Sequence, residues 1–553
     1  MSHAEPSFNL IDEGWILALD HGGQLRQVSL AEAFEQSTDI SQLVGELPTQ
    51  TFAIQRLLLA ILHRALGGPP DLAAWRRARD DWGSAVRAVR GYLETFRDRF
   101  SLVHPTTPFF QVATLHTGKD EISGLEKLIA DVPNGEPYLT MRLGRGLGRI
   151  TWAEAARWLV HVQAFDPSGI RSGVVGDPRV KAGKGYPIGT GWAGRIGGVS
   201  LAGETLCDTL LLNLVVPGEA SRIDSPDDDA PPWERPQVQA GEEVPGGREP
   251  RGPVDLYTWQ SRRVRLVGDA DGVVGLVLAQ GDRVREQNRQ RVEPMTAWRY
   301  SKPQSAKFGR VTYMPRRHDP ERAFWRGLVA LLPEASQAAA GGEPAAFQQP
   351  ALLRWAGELR SKGLIPDRLV RVHAVGAVYG ANEATIDEIV DDQLSLPVVL
   401  LTEGEGELRR TALDAVTEAE AAVRALTALA RNIALAAGAG PDDAGPARSA
   451  QEIAYAALDG PFRRWLASLH THEDPVDART RWQQEVRRII YGISRDLVRD
   501  AGPQAFVGRQ VGPAGQARHV DLGRADVWFH RGLAAALPRA VAADVQQHEE
   551  VAL

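Results

Sequence analysis

The sequence predicts an α+β fold in two parts. A mixed amino-terminal domain over residues 1–400 carries long loops and small β-modules, and a carboxy-terminal four-helix bundle occupies 401–553. Three observations predict this. The chain has 553 residues, more than one hydrophobic core usually supports. Strand-like alternation is short and scattered, interrupted by apolar helical runs and by glycine-rich loops. From about 405 to 545 four long Ala- and Leu-rich amphipathic segments are separated by loops near 438–447, 470–476 and 501–523.

The elements follow in order. FNLIDEGWILAL, a turn at Gly22-Gly23 and a second run through Val28 predict a small β-element, and Ser29 caps the helical SLAEAFE. Residues 47–66 (LPTQTFAIQRLLLAILHRAL) are apolar on more than one side and predict a buried helix. One further helix is expected over 70–98, with Trp75, Trp82, Val86, Val89 and Leu93 inward. In TWAEAARWLVHVQAF, Thr151 and Glu154 have capping-box spacing. Glycine-rich loops flank that helix, MRLGRGLGRI before it and a long stretch through Gly198 after it. The Asp-, Pro- and Gly-rich segment 217–253 is expected to be a flexible insertion, and 254–315 a β-rich module.

Composition removes several functions. The single cysteine, Cys207, excludes a disulfide framework and a cysteine-based zinc site, and its apolar setting predicts a buried structural thiol. No basic leader or long apolar run is present, so a cytoplasmic location is expected. Net charge is −7, yet basic residues segregate. Residues 141–199 carry nine Arg or Lys against three acids, and 283–317 carry ten against two. Local excess of this kind favours an anionic partner.

Catalytic motifs fail individually. GTGWAG at 189–194 matches a dinucleotide fingerprint, but no strand precedes it and no helix can follow. His470, His472 and Asp474 in HTHEDP resemble a metal cluster but read better as a polar connector, and His318 as a capping or pairing histidine. No nucleophile, base and orienting acid can be assembled. No cofactor and no metal is expected. What remains is the glycine- and arginine-rich stretch 141–198, where backbone N–H groups can approach a nucleic acid closely. A plain surface loop or a protein interface stays open at this point.

FNLIDEGWI, LPTQTFAIQRLLLAIL, HPTTPFFQ and GGVSLAGETLCDTLLLNLV, in that order, resemble the CasA family, the large subunit of the type I-E CRISPR surveillance complex Cascade. The resemblance runs through residues 8–217 and more weakly through the carboxy-terminal bundle. It implies a non-catalytic subunit that recognises the protospacer-adjacent motif in double-stranded target DNA through the minor groove. It implies separation of the strands for guide-RNA pairing, and recruitment of a helicase-nuclease. Other Cascade subunits and crRNA would be its partners, with no membrane. The family's glycine loop falls on Gly169, Ile170, Arg171 and Ser172, where Ile170 and Arg171 depart from glycine. The position of a groove-reaching lysine falls on Arg289, and a strand-separating Asn-Gln pair falls on Asn382 and Glu383. A loop contacting the complex and DNA falls on 142–149, with Arg142, Arg145 and Arg149. The alternative is a protein–protein scaffold touching DNA only through phosphates.

Overall fold

The computed structural model describes residues 6–132, 147–333, 342–402, 404–513, 515 and 517–540. It divides into two compact units. The first comprises Met1–Glu321, Pro333–Pro366 and Val370–Gln393; the second comprises Arg322–Leu332, Asp367–Leu369 and Leu394–Leu553.

The first unit is organised around the helix Pro48–Ala65, which begins with proline at its first turn and buries residues on every side. The sheet Leu25–Val28, Ile16–Asp20, Ile40–Val44 adjoins it, with Ile16 and Ala18 inward. A charge lies inside this core. Arg56 is buried on the central helix and donates to both oxygens of Glu293 at 3.1 and 2.8 Å. The indole of Trp192 donates to the same carboxylate at 2.6 Å, and the Tyr257 ring lies 4.3 Å from the Arg56 guanidinium. Burial of such a pair is tolerated only because each group is satisfied.

Three expectations of local structure are corrected. The single helix over 70–98 is two, Leu72–Asp80 and Trp82–Thr95, because Asp81 leaves helical geometry and its carboxylate caps Ser84 at 3.0 Å. On the second helix Ala85, Val89 and Leu93 face inward, while Trp82 and Val86 are only half-buried. Thr151 caps the helix Trp152–Phe165 by accepting from the Glu154 amide at 3.1 Å, and the Glu154 carboxylate accepts from the Trp158 indole at 3.2 Å.

The third correction concerns segment 217–253. It is irregular but pinned rather than loose. Trp233 is buried against Phe100 and Phe109, Arg64 donates to Glu234 at 2.8 Å, and the Asp229 carboxylate accepts from the backbone of Asp255 at 2.8 Å. Aromatic and charged anchors among the prolines hold a chain that composition alone marks as a linker.

Residues Arg262–Asp269 and Gly272–Gln280 form a long antiparallel hairpin. Gly198–Ala202 pairs with Leu369–Tyr379, which is itself followed by Ile386–Pro397 in a three-stranded sheet. The fingerprint-like GTGWAG leads into a buried single turn, Trp192–Arg195, and then directly into the strand at Gly198.

In the second unit four helices, Gly406–Ala437, Gly445–Ala467, Pro475–Arg499 and Leu522–Ala536, make the expected bundle. The first packs against each of the others, presenting Leu408, Ala412, Ala415, Ala419, Ala422, Leu426 and Leu429 at three- and four-residue spacing. Trp325 stacks on Phe462 at 4.2 Å, and Trp482 meets Phe462 edge-on at 5.2 Å. The HTHEDP string is a connector: Asp474 caps the third helix at 2.7 Å, and His470 lies 3.1 Å from Glu473. Among the described residues no group of three or more His, Cys, Asp or Glu could hold a metal ion. None of the described helices is long and apolar enough to cross a membrane.

Candidate nucleic-acid interface

The loop after Phe165 is built on one buried carboxylate. Asp166 is buried and accepts from Arg171 at 2.6 Å and from the fully buried Arg262. Burial alone would raise its pKa, but the Arg171 and Arg262 guanidiniums prevail and hold the carboxyl below its ordinary value. Arg262 also donates to the Gly189 carbonyl at 2.9 Å, and Gln280 donates to the Gly169 carbonyl at 2.8 Å. The long hairpin therefore serves as a rigid back wall for the loop.

This arrangement decides which way the departures from glycine face. Arg171 turns inward, to Asp166 and to the Pro167 carbonyl at 2.7 Å. Ile170 turns outward and is 54% exposed. Ser172 pairs across a short ladder with Lys184, and Arg171 with Gly185. Gly169 is half-buried beside the Arg171 guanidinium.

The turn at 380–385 joins the sheet strands Leu369–Tyr379 and Ile386–Pro397. Asn382 and Glu383 both have positive φ, 57° and 55°, an uncommon conformation for two successive non-glycine residues. Two bonds tie this turn to the loop region. The Ser168 amide donates to the Glu383 carbonyl at 2.7 Å, and Tyr379 donates to the Phe165 carbonyl at 2.7 Å. Arg317 donates to the Glu383 carboxylate at 2.8 Å. Asn382 stands exposed at the tip.

The structure thus brings together Gly169–Ser172 and Asn382–Glu383. Arg289 is elsewhere engaged. It donates to the Arg285 carbonyl at 2.9 Å and pairs with Glu249, neither of which belongs to the loop or the turn. Burial and the nearby Arg310 depress its pKa. Arg142 and Arg145 lie outside the described residues. Arg149 is described and pairs with Asp269 at 2.9 Å, drawing that carboxyl down to about 2.

Counting charges along the sequence overstated the basic surface. Arg157 is bound to Glu46, Arg179 to Asp177 and Glu242, and Arg195 to Glu286. These arginines are structural cross-links. Residues missed by sequence reasoning include Asp166, Arg262, Gln280, Tyr379 and Arg317. Only Arg317 carried a signal, as part of the basic excess at 283–317. His318 donates to the Gly198 carbonyl at 2.8 Å and is half-buried, in keeping with a pairing role.

Comparison with known proteins settles the family. The model for CRISPR-associated protein Cse1 matches residues 9–493. The chain belongs to the CRISPR-associated protein Cse1 (CasA) family. It is 32% identical to the CasA/Cse1 protein of Thermus thermophilus over 506 residues, covering 87% of this chain and 90% of the relative. The crystal structure of Thermobifida fusca Cse1 superposes with a TM-score of 0.88 at 45% identity, covering 97% of this chain and 99% of that one. A chain of a CRISPR RNA-guided surveillance complex shares the fold at 20% identity, with a TM-score of 0.64 over 89% of this chain and 99% of that one. The Cse1 fold thus extends over the loop, the turn and the bundle alike.

Proposed function

We propose that this chain is the large, non-catalytic subunit of a type I-E Cascade complex, acting in the cytoplasm with crRNA and the other Cascade subunits. Its 169–172 loop recognises the protospacer-adjacent motif in duplex DNA through the minor groove. The 380–385 turn separates the strands so that guide RNA can pair, and the assembled complex recruits the helicase-nuclease. Division of labour of this kind leaves long-range specificity to base pairing and asks the protein to read only a short motif.

The observation that carries the reading is the Ser168–Glu383 hydrogen bond, which makes loop and turn one body. A reader and a wedge so coupled act on neighbouring base pairs. The exposed Ile170 adds an apolar side chain at the loop's outer face, the residue type that unstacks base steps from the minor groove. Glu383 is compatible with a site beside phosphates because Arg317 neutralises it.

A second reading, a scaffold touching DNA only through phosphates, is favoured by the internal pairing of Arg149, Arg157, Arg171, Arg179 and Arg195. One experiment separates the two. The reconstituted complex is titrated with duplexes differing only in the flanking trinucleotide, over a range of salt. Motif reading is expected to give a preference of about tenfold or more for some trinucleotides, corresponding to roughly 1–3 kcal/mol per base pair. A steep salt dependence without preference would establish the scaffold.

A further inference from the structure

Among the described residues of 141–199 each arginine is paired with a carboxylate, and two cations face outward. Lys181 and Lys184 are exposed and have no acidic partner among the described residues. They flank a two-residue turn. The Lys181 amide donates to the Lys184 carbonyl at 3.0 Å and the Lys184 amide to the Lys181 carbonyl at 3.0 Å. Between them Ala182 and Gly183 have φ of 49° and 72°, the left-handed pair of a type I′ turn.

The local chemistry is unfavourable in two ways. Residues directly opposite across an antiparallel pair project their side chains on the same face, and like charges there repel. A left-handed alanine is strained where Asn or Gly would be at ease. The turn is nonetheless held rigidly. Gly173 donates to the Gly183 carbonyl at 3.0 Å, and a side chain at Gly173 would collide with that carbonyl. Two unneutralised ammonium groups fixed on one face constitute a site for a partner with closely spaced negative charges.

Register places that site. Lys184 stands opposite both Lys181 and Ser172, so Lys181, Lys184 and Ser172 share one face of the ladder. Ser172 belongs to the proposed reading loop, and Ile170 two residues earlier is exposed. We propose that the Lys181–Lys184 turn clamps the phosphodiester backbone of the duplex whose groove the 169–172 loop enters. The proposal rests on the DNA-reading function and assigns to it two phosphate contacts. Ammonium groups suit this task, since they neutralise phosphates as point charges without reading sequence.

The test uses the reconstituted complex carrying the double variant Lys181→Ala with Lys184→Ala, and a second, Lys181→Arg with Lys184→Arg, that keeps both charges. Each phosphate contact contributes about 0.9 to the slope of log K against log salt. The alanine variant is expected to lower that slope by about 2, so that wild type loses roughly tenfold more affinity than the variant between 50 and 200 mM salt. The ratio of affinities for motif-bearing and motif-free duplexes stays unchanged, and the arginine variant keeps the wild-type slope. An unaltered slope in the alanine variant overturns the proposal. So does failure of the alanine variant to assemble with its partner subunits while the arginine variant assembles, which would make the turn a subunit contact. A lowered slope in a complex without any motif preference would refute motif reading and leave the clamp standing.

Discussion

Arg317 holds the carboxylate of Glu383 at 2.8 Å, on the same turn whose backbone carbonyl accepts from Ser168 at 2.7 Å. A negative charge at the tip of a proposed DNA wedge is thereby cancelled within the protein. The pair is about one-third exposed on each side, so its contribution to folding stability is small, about 0.2–1 kcal/mol. Its value lies in what it does to the approach of phosphate.

Arg317→Ala is therefore expected to leave the melting temperature nearly unchanged while slowing strand opening in the assembled complex. Fluorescence of 2-aminopurine placed next to the motif measures the opening. Glu383→Gln alone should open the duplex at close to the wild-type rate, and combined with Arg317→Ala it should restore most of the loss. Equal slowing in the single Arg317→Ala and the double variant would mean that Arg317 acts on DNA directly and not through Glu383.

Asp166 supports the loop from beneath. Asp166→Asn would leave Arg262 buried without a counter-charge, at a cost of about 3–5 kcal/mol. The pH dependence has a defined sign. The folded-state pKa of Asp166 is lowered, so its contribution is complete above the ordinary carboxylate range near 4 and is lost as pH falls through the folded value. Urea unfolding between pH 7 and pH 3 should show wild type losing more stability than Asp166→Asn. Parallel curves for the two proteins would contradict this account.

Arg289 is occupied by Glu249, which turns its assigned role into a competition. If Arg289 reaches the groove, Glu249→Gln should tighten duplex binding by the complex and Arg289→Ala should weaken it. The double variant should match Arg289→Ala. Tightening that persists in the double variant would place the effect on Glu249 alone and remove Arg289 from the DNA interface.

Cys207 is buried, and desolvation pushes its thiol up to about 12. At pH 8 the thiolate fraction is then lower than that of a free cysteine by roughly a thousandfold, and iodoacetamide labelling should be slow to a comparable degree. Labelling of the native chain at the rate of the urea-unfolded chain would refute the buried placement.

How much of this was legible beforehand varies with the physics involved. The bundle was, because Leu408, Ala412, Ala415 and Ala419 carry a helical period that no tertiary contact has to complete. The wholly apolar helix at 48–65 was legible for the same reason. Two helices were merged over 70–98 because Asp81 acts through its own backbone angles, φ −131° and ψ 67°, and not through a glycine or proline. Segment 217–253 was misjudged because Trp233 and Glu234 find their partners more than a hundred residues away, at Phe100, Phe109 and Arg64. Of the proposed site, the sequence named the loop 169–172 and the turn at Asn382–Glu383, which the structure places side by side, but not how their charges pair. Nothing in the sequence distinguishes Arg171, facing Asp166, from Lys181, facing solvent; the difference arises only when Asp166 is buried.

The Arg56–Glu293 pair carries a consequence for biosynthesis. The central helix is among the first elements to leave the ribosome, yet the counter-charge for Arg56 lies 237 residues downstream. At roughly 5–20 residues per second, on the order of ten to fifty seconds separate the two. Throughout that interval the apolar faces of Pro48–Ala65 cannot close over an unneutralised guanidinium without a large desolvation cost. Closure of the amino-terminal core over Arg56 is therefore expected only after residue 293 has emerged, so co-translational protease protection of the central helix should appear late in synthesis.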